Sequence, residues 1–208
     1  MSWHTSGIAV KSIGALTDEK FLSMLGLGPL TPGEEVDFDE AGSSDIEGLA
    51  IGKCGEWALA FNPSMFLSGS GSSADWRNSM WPPALEKRLI GVSKDFPVFG
   101  LILEGTSGTA DFSFYRSGKR ERCFMVQEGK TVFEQGQSLK EEKEAFSEES
   151  DPEQRILLLA EKLGLDFNSE IQMEMAFRLY EFGDEVPDTS MSPRNAGHHE
   201  RKWWQFWR

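Results

Sequence analysis

The chain has 208 residues, a mass of 23.3 kDa and a formal net charge of -13 at pH 7. With 39% apolar and 26% charged residues, it has the composition of one ordinary folded domain and not of a disordered chain. No apolar run approaches the ~18 residues a membrane span needs. Two cysteines cannot staple a disulfide scaffold, and the negative excess repels nucleic acid and anionic membrane alike.

The opening MSWHTSGIAVKS has neither a basic n-region nor an apolar h-region, so a cytoplasmic protein is expected. Residues 6–13 read as a short strand. Thr17 before Asp18 and Glu19 reads as a helix N-cap with acids in the first turn. Phe21, Leu22 and Leu25 share a face, and Gly26 closes the helix. The next stretch, 26–48, is rich in Gly, Pro and acids and is expected to be a loop. It crowds Glu34, Glu35, Asp37, Asp39 and Glu40 into seven residues.

LAIGKCGEWALAF, 49–61, reads as a hairpin with Trp57, Leu59 and Phe61 alternating on its second strand. A Gly/Ser-rich loop follows, with Ser73 or Asp75 as a candidate cap. Trp81-Pro82-Pro83 ends the helix so capped, and Pro83 starts a helix over 84–94 that carries Leu85, Leu89 and Val92. PVFGLILEG is a continuous strand-length run. Two further strands flank a turn at Ser117-Gly118, and KTVFEQGQSL adds a short one. Residues 140–153 are highly charged and acidic, with Glu141, Glu142, Glu144, Glu148, Glu149 and Asp151.

Asp151-Pro152-Glu153-Gln154 is a strong helix start, and Ile156, Leu159, Ala160 and Leu163 repeat at helical spacing up to Gly164. In 170–183 the alternation of Ile171, Met173, Met175, Phe177 and Leu179 argues for a strand, but the residue types and the length favour a helix, and a helix is expected. From Asp184 the periodicity dissolves. The expected organisation is a single α+β domain over 1–185, a central antiparallel sheet flanked by short helices. A disordered, flexible aromatic and basic tail follows over 186–208. The tail carries a charge of +2, which leaves -15 on the body. It ends in Trp203-Trp204-Gln205-Phe206-Trp207-Arg208, whose Trp203, Trp204 and Trp207 are candidate partner anchors.

Chemistry is sparse. No CxxC, HxxxH or HExxH spacing occurs, so neither a metal nor another cofactor is expected. Gly69-Ser70-Gly71-Ser72-Ser73 lacks the lysine ending of a phosphate-cradling loop. Cys123 follows Arg120 and Arg122, whose charges favour a thiolate, but alternation places it on the inward face with Met125, as an inert buried thiol. Only His4 lies in the body, so a nucleophile has almost no base to use. Trp57 beside Glu56 is the one local hint of a carbohydrate cleft, and a core tryptophan is the better reading of it.

The run from Pro97 to Leu139 holds an aromatic hairpin from Phe112 to Arg122 and a turn marked by Glu134, Gly136 and Leu139. It is followed by DPEQRILLLAEKLGLDF and MAFRLYEFGDEVPD. Over roughly 84–187 this order resembles a family of small bacterial α+β proteins that look like immunity proteins of polymorphic toxin systems. The resemblance implies protein binding and inhibition, and no catalytic set. The expected function is therefore an acidic inhibitor that occludes a basic toxin or effector. The acids at 34–40 and 141–151 and the tail tryptophans are the expected contacts. The alternatives are an adaptor or chaperone-like module that uses the tail, and a carboxylate-dependent hydrolase.

Overall fold

The computed structural model describes residues 4–12, 16–27, 30–43, 46, 48–62, 79–167 and 175–181. Among these, nine strands form one antiparallel sheet: β1 (His4–Lys11), β2 (Thr31–Val36), β3 (Leu49–Cys54), β4 (Trp57–Phe61), β5 (Val98–Glu104), β6 (Thr109–Arg116), β7 (Lys119–Gln127), β8 (Lys130–Gly136) and β9 (Phe177–Glu181). Their spatial order is β2-β9-β3-β4-β1-β5-β6-β7-β8. The meander from β5 to β8 is local. The other half is stitched by long connections: β1 lies between β4 and β5, and β9 between β2 and β3. Among the described residues, five helices flank the sheet: α1 (Asp18–Leu25), α2 (Phe38–Ala41), α3 (Pro83–Val92), α4 (Lys140–Glu148) and α5 (Pro152–Lys162).

The helices cover both faces. Phe21, Leu22 and Leu25 of α1 and Leu85 and Leu89 of α3 join Ile8, Val10, Ile51, Val98 and Ile102 in one core. Phe38 of α2, Ala145 of α4 and Ile156, Leu157, Leu159 and Ala160 of α5 join Leu59, Phe61, Phe99, Leu101 and Phe112 in the other. A sheet buried on both faces needs apolar residues on both parities. That is why β4 is buried along its whole length and PVFGLILEG is an unbroken run. Where large rings press on the sheet, the strand offers glycine. A Cβ on Gly52 would lie 2.5 Å from the Phe177 ring, and one on Gly100 would lie 2.6 Å from Trp81.

Several expectations hold. Thr17 accepts the Lys20 amide at 3.3 Å, and Gly26 closes α1 in the left-handed region. Asp151 caps α5. Ser117 and Gly118, both with positive φ, make a two-residue turn between β6 and β7, as hairpin twist requires.

Two readings are corrected. The expected loop at 26–48 contains β2 and α2. β2 is an edge strand, exposed from Thr31 to Glu35, and an edge tolerates Pro32 and the register shift that follows it. The acidic stretch from Lys140, for which composition sets no element, forms the helix α4. The helix expected over 170–183 is strand β9 where it is described: Phe177 and Tyr180 are buried in opposite cores, and β9 pairs with both β2 and β3. Alternation was the true signal there. Ladder partners more than a hundred residues away outweighed the helical propensity of the residue types.

Candidate functional site

The acids of α2 and those at 141–151 lie on the side of the sheet that α2, α4 and α5 cover, whereas Glu35 of β2, paired with Arg178 of β9, points to the α1 side. α2 is pinned to its side by Phe38, whose ring centre lies 6.0, 5.9 and 5.9 Å from those of Phe61, Phe167 and Phe177. Asp37 caps this helix by accepting the Glu40 amide at 2.8 Å. Asp39 and Glu40 are exposed, as are Glu34 and Glu35 on the neighbouring edge strand. Glu35 accepts a hydrogen bond from Arg178 at 2.7 Å, which raises the guanidinium's pKa.

On α4, Glu144 is exposed and 3.7 Å from Lys140, and Glu141 is half-buried. Glu148 pairs with Lys162 of α5 at 2.8 Å. Glu149 accepts the Asp151 and Ser150 amides at 2.9 and 2.6 Å, and these bonds hold its carboxyl below the usual range. Asp151 accepts the Gln154 amide at 3.0 Å.

The exception is Glu142. It is 2% exposed and faces Arg122 of β7, which is 1% exposed. Arg122 donates to it through Nε, at 2.9 and 3.1 Å, and through Nη2 at 2.5 Å. Nη2 also reaches Glu134 of β8 at 2.8 Å, and Nη1 reaches the Gly136 carbonyl at 3.2 Å. Glu142 in turn accepts the Leu139 amide at 3.0 Å, closing the start of α4. Burial works against the Arg122 charge, but the hydrogen bonds to Glu142 and Glu134 overcome it and raise its pKa. Glu142 is thus a tether of α4 to the sheet and is withdrawn as a partner contact.

The other face carries a second polar cluster. Glu86 of α3 accepts from Tyr115 at 2.7 Å and from Ser79 at 2.7 Å, and lies 3.1 Å from Arg120. Trp81 Nε1 donates to Ser113 at 3.0 Å. Burial, with the Glu86 charge beside it, lifts Tyr115 well above its usual value. On the same face Asp111 is 5% exposed and accepts the Val126 amide at 3.0 Å. Burial pushes its carboxyl up to about 7.

Cys123 is fully buried, and burial pushes its thiol up to about 12. Cys54 is likewise buried and raised. Trp57 is a core residue, 2% exposed. His4 Nδ1 lies 2.8 Å from Glu104. Among the described residues, no three His, Cys, Asp or Glu side chains gather where they could hold a metal ion, and no helix is long and apolar enough to cross a membrane. Trp203, Trp204, Trp207, the Gly/Ser stretch at 69–73 and the candidate caps Ser73 and Asp75 lie outside the described residues.

Charge divides sharply between the two helical layers. Residues 140–162, spanning α4 and α5, hold eight acidic and four basic side chains, and Asp37 to Glu40 adds three acids and no base. On the opposite face, α1 and α3 together hold three acids and three bases. Sequence reasoning located the acids but missed Arg122, Glu86, Tyr115 and Asp111. The one available signal was α4 itself: the Lys140–Glu144 spacing and the apolar pair Ala145-Phe146 inside the charge run mark a helix with a buried side.

Comparison of the chain with protein-family models, with curated proteins and with solved structures gives no match.

Proposed function

We propose that this chain is an acidic protein-binding inhibitor, of the kind that serves as a cytoplasmic bacterial immunity protein. It occludes the cleft of a basic toxin or effector. The observation that carries this reading is the uneven charge: α2, α4 and α5 carry a net excess of acids, while α1 and α3 balance and Glu35 on their side is matched by Arg178. A one-sided negative field steers a basic partner into one orientation and raises its association rate. Asp39, Glu40, Glu144 and Glu148 are the first contacts in this picture, with Glu34 and Glu35 on the adjoining edge strand. Glu149 and Asp151 combine a capping role with surface charge.

The test is protection. The chain is used to capture proteins from host lysate at low and at moderate salt. The captured protein is then expressed with and without it. A single stoichiometric basic partner, released by salt and toxic unless this chain is co-expressed, supports the proposal. A variant with Glu34, Glu35, Asp39 and Glu40 changed to their amides should protect poorly. Full protection by that variant at low affinity cost, or capture of nothing at low salt, removes the steering mechanism.

A further inference from the structure

Where the tip of the β6–β7 hairpin meets the loop entering α4 there is a groove of about 610 Å³, within the usual range of small-ligand sites, roughly 300–1,000 Å³. Its apolar lining comes from Phe114, Leu139 and Leu163. The cations Arg116, Lys119, Arg120 and Lys140 also line it, against two acids, Glu121 and Glu141. That sign is opposite to the rest of the helical layer it adjoins.

The cations are not equivalent. Arg120 is turned to Glu86 and Gln135, so its charge is largely spent below the groove. Arg116 bonds Glu121 at 2.7 Å and lies 5.6 Å from the Phe114 ring centre, which fixes it at the groove wall. Lys119 is 3.9 Å from Glu121, and Lys140 is 3.7 Å from Glu144. Both lysines are mostly exposed, at 68% and 84%, and such loose exposed pairs are weak enough to be exchanged for a better anion.

We infer that this groove is a binding site for a small organic anion, whose apolar body lies over Phe114, Leu139 and Leu163 and whose oxyanion is met by Lys119, Lys140 and Arg116. The oxyanion is a phosphate monoester or a carboxylate, and the site's flexible ammonium groups suit either. This site adjoins the acidic surface of the proposed inhibitor through Lys140 and Glu141, but rests on a different observation, so either reading stands if the other fails.

The test is a titration of the full-length ¹⁵N-labelled chain with phenyl phosphate, benzoate and phenol, followed by amide shifts. Saturable binding of phenyl phosphate or benzoate is expected, with shifts clustered at 114–121 and 137–141 and no binding of phenol. The tighter of the two anions names the oxyanion. Lys119→Gln with Lys140→Gln, both surface changes that leave the amide spectrum otherwise intact, should weaken binding by about five-fold or more. The inference is overturned if neither anion gives saturable shifts, if phenol binds as well, or if the double variant binds with unchanged affinity.

Discussion

Arg120 and Arg122 sit two residues apart on β7, and a regular strand would point both to one face. They go to opposite faces. Arg122 pairs with Glu142 of α4 and Arg120 with Glu86 of α3. The cause is a register shift: Arg122 lies opposite Phe114 and Arg120 opposite Tyr115, so Glu121 is an extra residue in β7. Such a bulge re-aims side chains. The comparison shows how one inserted residue lets a single strand anchor a helix on each face. It also separates two kinds of polar contact. The Arg122–Glu142 pair is 1% and 2% exposed, while the Arg120–Glu86 pair keeps 13% and 14% exposure.

The difference should appear in stability. Glu142→Ala leaves the buried guanidinium with only the half-exposed Glu134 and a carbonyl, and should cost about 2–4 kcal/mol in chemical denaturation. Arg122→Met combined with Glu142→Leu should cost clearly less than that single change, since no charge is left buried without its partner. Equal losses would mean that the ion pair itself, and not the stranded charge, dominates.

Asp111 provides the next effect, on the Arg120 side. Its carboxyl titrates near 7 in the folded chain and near ~3.9 when unfolded. Between those values the folded chain holds a proton that the unfolded chain has released. Stability from this group is therefore complete below about pH 4 and lost as pH rises to about 7, at up to about 1.4 kcal/mol per unit. Asp111→Asn keeps an acceptor for the Val126 amide and should flatten that part of the stability–pH curve. An unchanged slope would place the proton elsewhere.

Glu86→Gln keeps the shape of the α3 cluster but weakens three contacts, and should cost about 1–3 kcal/mol. The smallest effect belongs to the surface. Glu35→Gln or Glu148→Gln breaks an exposed pair and should change stability by less than about 1 kcal/mol, a loss readable as a shift of denaturation midpoint at constant slope. Glu148 should matter far more to partner association, which separates folding acids such as Glu142 from recognition acids such as Glu148.

Much of this fold is visible in local sequence. Thr17 and Gly26, the start at Asp151-Pro152 and the Ser117-Gly118 turn each carry their own signal, because caps and tight turns are satisfied by residues a few positions apart. What escapes is non-local. β9 is held by strands whose residues lie as far away as Thr31, and no propensity encodes that. The bulge at Glu121 leaves no mark in composition, so the separation of the two arginines is invisible. Of the acidic residues, the sequence shows their clustering but not which one is buried. Glu142 looks like its neighbours until Arg122 is seen opposite it.

The most direct measurement is the association rate of the captured basic partner with the wild-type chain and with the chain carrying Glu34→Gln, Glu35→Gln, Asp39→Asn and Glu40→Gln, at low salt and near 0.15 M. If the acidic layer steers recognition, the wild-type rate falls steeply with salt. The variant starts at least about ten-fold slower and is less sensitive to salt, with dissociation changed far less. Equal association rates for the two chains at low salt would contradict the account.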